Sequence, residues 1–593
     1  MRFLLTALNA KYIHSNPAVY SLKSYAGKWS EHVEIAEYTI NNRVEDILED
    51  IYNRKPDAIG FSCYIWNWDM VQDVVVELHK LCPDLPIYLG GPEVSFDAEQ
   101  ILEDYPMVRG VMVGEGEETF CELLQHHVGE GIALADIAGL VVRGGKMSPR
   151  SPLSMSEIPF LYEDMAPFEN RIIYYESQRG CPFRCSYCLS SIDKTVRFRD
   201  MSVIKKELQF FLDHSVKQVK FVDRTFNCNH EHAMAIWKYI SENDNGVTNF
   251  HFEVAGDIVN EEEIALLQSM RPGLVQLEIG VQSTNPETLK EIRRVMDLTK
   301  LKKVTDAIRC GGNIHQHLDL IAGLPFEDYE SFGKSFNEVY AMKPNQLQLG
   351  FLKVLKGSYM HEMAGEYGLV YTKKAPYEVL YTKWLPYEKV RRLKKIEEMV
   401  ELYYNSGQFT HTLPILEKAF STPFAMYEKL ADFYEEKGYF TEAPARMYRY
   451  GILLEFAMEY DGQRESLYKE VLTYDAYLRE NLKSRPDFAK DLSLYKGEMT
   501  AFYKQEEQER NYLAEYTEYD SRQLARMTHI EAFRYAVWEQ DAGAEHADEK
   551  VKGYVLFDYK KRDPLTFEAR TQIITPERIE EAVRWLEESK KVH

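Results

Sequence analysis

SQRGCPFRCSYCLSS, Ser177 to Ser191, places Cys181, Cys185 and Cys188 in one turn-rich loop directly after the apolar strand signal RIIYYES (171–177). Three thiols so close in sequence converge on a metal centre, because a short segment wraps readily around one point and thiolate is a natural ligand of iron and zinc. A 4Fe–4S cluster held by three thiolates keeps one iron without a protein ligand, a place for substrate or cofactor. Structural zinc is the rival reading, with Cys228 or His230 in a later loop as fourth ligand. The spacing CxxxCxxC disfavours it, since zinc sites pair cysteines as CxxC knuckles.

The strand before this loop opens a series. RIIYYES, KQVKFVD, FHFEVAG, VQLEIGV, HLDLIAG and LQLGFLK alternate with helical stretches such as MSVIKKELQFFLDH and NEEEIALLQSM. Repeated strand–helix units predict a partial (β/α)6 barrel of the TIM type over 171–368, with its site at the carboxyl ends of the strands. Upstream, RFLLTAL, VEIAEYTI, AIGFSCY, LPIYLGG and GVMVGEG alternate with VEDILEDIYNR and MVQDVVVELHKL, the pattern of a doubly wound, flavodoxin- or Rossmann-like parallel sheet over 1–133. Its strand-end loops, NAKYIHSNPA, SCYIWNW, GGPEVSFD and GEGEE, combine glycines with the flat apolar surfaces of Trp66 and Trp68 and suit a flat, amide-rich cofactor. A linker with a surface hairpin is expected over 134–170. Beyond 369 the pattern turns to helices dense in Tyr, Glu and Lys, and GYVLFDYKKRDPLTFEART near the end reads as a hairpin before a last helix capped by Thr575 and Pro576. The expectation for 369–593 is a mainly α-helical domain with a small β element.

Whole-chain properties narrow the function. At 593 residues and 45% hydrophobic composition the chain is long enough for several packed domains. Eight cysteines are too sparse for a disulfide framework, MRFLLTALNAKYIHS lacks a signal-peptide pattern, and no window nears the ~18 apolar residues of a membrane span. A cytoplasmic protein without membrane partners is therefore expected. The net charge of −23 disfavours broad nucleic-acid binding. One basic stretch, TKWLPYEKVRRLKKIEEMV, carries the apolar stripe Val390, Leu393, Ile396 and Val400 and reads as a solvated helix face rather than a binding patch.

On these residues the chain resembles a known family. CPFRCSYC after the first strand of a part-barrel resembles the radical S-adenosylmethionine (SAM) superfamily. The preceding domain, with GGPEVSFD and GEGEE, resembles the cobalamin-binding domain of one large branch, and the helical remainder resembles an accessory domain of bacterial members. The resemblance implies that Cys181, Cys185 and Cys188 bind a 4Fe–4S cluster whose open iron chelates SAM. It places Tyr187 beside the adenine, Asp223 and Arg224 of FVDRTFN near the methionine part, and Glu253 at the ribose. Glu278, Gln282 and Ser283 of LEIGVQS fall at the mouth, and Ile321, Gly323 and Leu324 of LDLIAGLP, through Pro325, beside adenine.

For cobalamin the implied lining is Asn16, Ser62, Trp66, Gly90, Gly91, Pro92, Glu93, Gly114 and Glu115. The Asp-x-His-x-x-Gly motif of a lower axial histidine is missing. His14 is the candidate substitute, and binding without a protein histidine is the expectation. The family reading is a cobalamin-dependent enzyme that generates a 5′-deoxyadenosyl radical, foremost for methylation of an unactivated carbon, with an electron donor such as flavodoxin or ferredoxin. Rearrangement, cyclisation or oxidoreductase chemistry, and a non-catalytic cobalamin sensor or Fe–S carrier, are the alternatives.

Overall fold

The computed structural model describes residues 1–539 and 551–592. Two compact units divide the chain, Met1–Ser335 with Leu349–Val390, and Phe336–Gln348 with Arg391–His593.

In the first unit, β1 (Phe3–Asn9), β2 (Val33–Thr39), β3 (Ala58–Ser62), β4 (Ile87–Gly90) and β5 (Val108–Met112) form a parallel sheet. All seven residues of β1 are buried, because helices cover both faces of a parallel sheet. One face packs on Val71, Val74, Val75 and Leu78 of the helix Trp68–Leu81, the other on Phe120, Leu123 and Leu124 of Glu117–Val128. The strand order β2-β1-β3-β4-β5 reverses between β1 and β3, so the loops after these two strands flank the crevice where such sheets bind ligands. The segment read as linker does more than connect. Its β6 (Leu140–Val142) joins β5 antiparallel and closes that edge of the sheet.

The second sheet has the order β7 (Ile173–Tyr175), β10 (Gln218–Phe221), β11 (Asn249–Val254), β12 (Val275–Gln282), β13 (His315–Ala322), β14 (Gln346–Phe351). Each is one of the six strands read from the sequence. The terminal strands β7 and β14 do not pair, so this is an open part-barrel. Between β7 and β10, the short β8 (Gln178–Arg179) and β9 (Arg197–Phe198) pair antiparallel and pinch off the cysteine loop. After the barrel, β15 (Val370–Tyr371) and β16 (Val379–Tyr381) make a two-stranded ribbon.

The second unit is mainly helical, as its composition predicts. Tyr403, Tyr427, Tyr434, Tyr450 and Tyr468 are fully buried, and their hydroxyls find partners, Tyr403 with Tyr434 at 2.6 Å and Tyr468 with Asp461 at 2.7 Å. Aromatic rings with a polar tip thus build the core of a tyrosine-rich helical unit. Val390, Leu393, Ile396 and Val400 are buried as the stripe requires, and Arg392 and Lys395 pair with Glu428, Asp432 and Glu435. That basic face is neutralised by its own neighbours. The expected hairpin is β18 (Gly553–Arg562) with β19 (Ala569–Ile574), and β17 (Thr528–Phe533) adds a third strand not foreseen. Burial of Leu524, Ile530, Leu556, Ile574, Ile579 and Ala582 joins this sheet to the last helix, Pro576–Val592.

Candidate functional site

The cysteine loop hangs from a buried carboxylate. Asp223, at the end of β10 and fully enclosed, accepts from the backbone N–H of Ser177 at 2.9 Å and of Gln178 at 3.1 Å, and from the Ser177 hydroxyl. Burial pushes its carboxyl up to about 8 against those hydrogen bonds. Gly180, at φ +95°, is obligatory, since a Cβ there would lie 2.2 Å from the Thr195 carbonyl oxygen.

Cys181 and Cys185 are buried and Cys188 half-buried. The Cys181 sulfur lies 3.5 Å from the Thr225 hydroxyl, and Arg294 donates to the Cys185 sulfur at 3.7 Å. Burial raises the Cys181 thiol against hydrogen bonds from Thr225 and the Phe183 backbone, and the other two sulfurs push the same way. Of the zinc candidates, His230 is exposed and turned to Glu263 at 3.1 Å, while Cys228 sits against Gln178. Among the described residues no three His, Cys, Asp or Glu side chains are grouped to hold one metal ion. A multi-iron cluster needs no such convergence, since each thiolate takes its own iron. A shielded set of sulfurs with hydroxyl and guanidinium donors fits the thiolates of such a cluster.

Tyr187 is partly buried and packs against the apolar cluster that includes Leu324, Leu352 and Val379. Arg224 is exposed and 3.8 Å from Glu253, whose carboxyl burial raises against the pull of Arg224. Gln282 sits at a β-bulge with φ 74°, and its Oε1 is buried without a hydrogen-bond partner. Ser283 is fully buried and donates to Glu327 at 2.6 Å. Ile321 is half-buried, Leu324 fully buried, and Pro325 accepts from Thr288 at 2.9 Å. Gly323 has φ +90° and lies against Val379.

Sequence reading named Glu253 and Glu278 but passed over the polar residues that alternate with apolar ones around them, Lys220, His251, His317 and Asp319. Glu278 on β12 meets His251 of β11 at 3.0 Å and Lys220 of β10 at 3.3 Å, and His317 of β13 meets Asp319 at 3.0 Å. Burial would raise the Glu278 carboxyl, yet His251 and Lys220 overcome it and hold it down at about 2. The period-two placement in FHFEV and HQHLDL was the available signal: His251 and Glu253 alternate on one strand, and His315, His317 and Asp319 on another, so three histidines and two acids take alternate positions of apolar strands. Arg294 had none, since only the fold brings it to Cys185.

In the first sheet domain, Asn16 caps the helix Pro17–Tyr25 through Ala18 N–H and donates to Ser62 at 3.1 Å, joining the loops after β1 and β3. Trp66 is exposed and stacks on Tyr64 with ring centroids 4.4 Å apart, whereas Trp68 begins the helix Trp68–Leu81 and is buried in the core under the sheet, so it offers no surface to a ligand. Gly90 accepts from the Cys63 N–H at 2.7 Å, and Gly91, at φ +116°, has no room for a Cβ beside the Cys63 carbonyl. Pro92 is exposed, whereas Glu93 is buried and bonded to Tyr377. Gly114 is exposed at φ +82°, and Glu115 bonds Arg197 and accepts from Leu153 N–H at 2.9 Å. The carboxylates of Glu93 and Glu115 are thus committed to partners. His14 receives its own partner from the barrel, Tyr174, at 2.6 Å through Nδ1, and burial lowers its pKa. Exposed Trp66 in the loop after β3, at the β1/β3 reversal, and exposed Pro92 and Gly114 in the loops after β4 and β5 leave the strand-end edge of this sheet open to a flat cofactor.

Comparison with known proteins agrees with this architecture. The B12 binding domain model matches residues 4–124, the radical SAM superfamily model 175–339, and a model described as a protein of unknown function (DUF4080) 365–557. The chain is 24% identical over 360 residues to the cobalamin-dependent radical SAM methyltransferase TokK of Streptomyces tokunonensis, covering 54% of this chain and 51% of that one. It is 27% identical over 302 residues to an uncharacterized methyltransferase, PH0819, of Pyrococcus horikoshii, covering 48% and 64%. The chain spans about half the length of the curated relatives it matches. Among solved structures, the cobalamin-dependent SAM radical enzyme OxsB with aqua-cobalamin and SAM bound superposes with a TM-score of 0.54 at 16% identity, over 79% of this chain and 74% of that one. The likeness is one of fold. No helix among the described residues is long and apolar enough to cross a membrane. A B12 binding domain and a radical SAM domain follow one another in this chain.

Proposed function

We propose that this radical SAM protein with an upstream B12 binding domain is a cobalamin-dependent radical SAM enzyme, and that it methylates an unactivated carbon. One observation carries the reading. Glu115, in the loop after β5, pairs with Arg197 and, at 3.5 Å, with Arg179, and Glu117 pairs with Arg179 at 3.0 Å. These arginines stand on the two strands that pinch the cysteine loop, so the GEGEE loop of the first domain and the cysteine loop are fastened together.

In the proposed mechanism Cys181, Cys185 and Cys188 hold a 4Fe–4S cluster, and Tyr187, Glu253, Gln282, Ile321 and Gly323 line the SAM site. Asn16, Ser62, Trp66 and the turn Gly90–Glu93 line the cobalamin. When bound, these cofactors supply a 5′-deoxyadenosyl radical that abstracts hydrogen and a methyl group for the resulting carbon radical. The protein's own work is placement and shielding. Asp223 fixes the base of the cysteine loop, Arg294 places positive charge beside Cys185, and Glu253 accepts hydrogen bonds from ribose hydroxyls. Lys220, His251, Glu278, His317 and Asp319 give the barrel a polar wall, and the Tyr64–Trp66 pair excludes water from the side of the first domain. Electrons come from a reduced carrier of the flavodoxin or ferredoxin kind.

Anaerobically reconstituted protein tests this. It should bind about four irons and four sulfides, take up cobalamin, release 5′-deoxyadenosine from SAM under a strong reductant, and transfer label from methyl-deuterated SAM into a component of a cell extract. Cys185→Ala should abolish cluster and cleavage together. A protein that binds both cofactors yet cleaves no SAM overturns the enzymatic reading.

A further inference from the structure

The segment that follows the last barrel strand is fastened to both proposed cofactor sites. At one end, Tyr377 donates its hydroxyl to Glu93, and Lys356 reaches Glu93 at 3.4 Å and Asp97 at 2.8 Å. Glu93 and Asp97 bound the tip of GGPEVSFD, where a Cβ on Gly357 would also strike the ring of Phe96 at 2.3 Å. Val379, two residues beyond Tyr377, lies against Gly323, where an added Cβ would meet its Cγ1 at 2.8 Å. Backbone bonds make the segment one piece, with Val354 N–H to Tyr377 O at 3.0 Å and Val379 N–H to Leu352 O at 2.9 Å. Tyr377 takes a left-handed φ of 56°, uncommon for an aromatic residue, and that conformation accompanies its bond to Glu93.

We infer that Tyr377 and Lys356 are positioning residues that couple the two sites, so that cobalamin and SAM bind with positive cooperativity through the strap 352–382. The inference rests on the proposed function. A cofactor seated against the Gly90–Glu93 turn fixes Glu93, Glu93 fixes Tyr377 and Lys356, and the strap then holds Val379 against Gly323 before SAM arrives. SAM has less to order, which tightens its binding, and linkage requires the same factor in reverse.

The test uses full-length protein carrying its cluster, titrated calorimetrically with SAM with and without one equivalent of hydroxocobalamin. Cobalamin should tighten SAM binding about tenfold, within the usual range of such couplings, and SAM should tighten cobalamin by the same factor. Tyr377→Phe and Lys356→Met should each reduce the factor below about twofold while both cofactors still bind, and Lys356→Arg should restore it. Equal SAM affinity with and without cobalamin in the unmodified protein, or a full factor retained in both variants, overturns the inference and leaves the proposed function standing. Failure to bind either cofactor overturns both.

Discussion

The guanidinium of Arg294 donates through one nitrogen to the sulfur of Cys185 at 3.7 Å and through the other to the carbonyl of Gly280 at the β-bulge of β12. A positive charge so placed stabilises the more negative, reduced form of a cluster held by Cys185. Arg294→Met should therefore lower the midpoint potential of the cluster by roughly 50 mV, a little under the 59 mV of a tenfold change in a one-electron couple. An EPR-monitored redox titration reads this directly. An unchanged potential at full iron content would show that the guanidinium supports the bulge alone.

Glu278 offers a second, energetic test. It is 23% exposed, ion-paired to Lys220 and within 3.0 Å of the His251 ring, and its carboxyl is held down at about 2. A depressed folded-state pKa contributes stability above the ordinary glutamate range, and that stability is lost as pH falls toward 2. Glu278→Gln should thus cost about 2 kcal/mol at pH 7, less than removal of one partner from a fully buried pair. The gap between variant and parent should narrow below pH ~4, followed by thermal unfolding of the apoprotein. A constant gap down to pH ~3 would contradict the ionised assignment.

Most of the fold was legible because strands buried on both faces read as continuous apolar runs, and all eleven expected strands of the two parallel sheets formed. β6 was not, since LVV is too short to stand out beside Gly144 and Gly145, and β17 was hidden because THIEAF follows directly on the helix Ser521–Met527. For the candidate site, chain-local signals carried the cysteines and the glycine turns. Long-range partners did not appear. Arg294, Tyr377 and Lys356 lie in stretches whose own patterns say only helix end or loop, and only folding brings them to Cys185 and Glu93. Asp223 was legible as a strand-end acid, but not that backbone N–H groups would enclose it.

The fastening between the loops has its own signature. Glu115 is shared between Arg197 and Arg179 and receives the Leu153 N–H. Glu115→Gln removes the charge while keeping an acceptor, leaving two arginines less well compensated. On the proposed reading, cobalamin affinity should fall roughly tenfold, about 1.4 kcal/mol, as measured by absorbance titration, while iron content stays near that of the parent. Loss of iron with cobalamin binding intact would mean that the pairs serve the cysteine loop alone.

The pH behaviour of Asp223 separates its support of the loop from any direct role at the mouth. Buried beneath Ser177 and Gln178, it has its carboxyl raised to about 8, above the ordinary aspartate value. The folded state therefore holds a proton that the unfolded chain releases, and stability present at low pH is lost as pH rises through the folded-state value. Between pH ~5 and ~8 the loss should approach 1.4 kcal/mol per unit at most, carried by this one group. Asp223→Asn keeps an acceptor for the backbone N–H groups and cannot titrate. Its unfolding midpoint, scanned across that range in the apoprotein, should gain on the parent as pH rises, with the cysteine loop still able to take up iron. Parallel profiles would mean that the hydrogen bonds from Ser177 and Gln178 overcome burial and that Asp223 is already ionised in the folded protein.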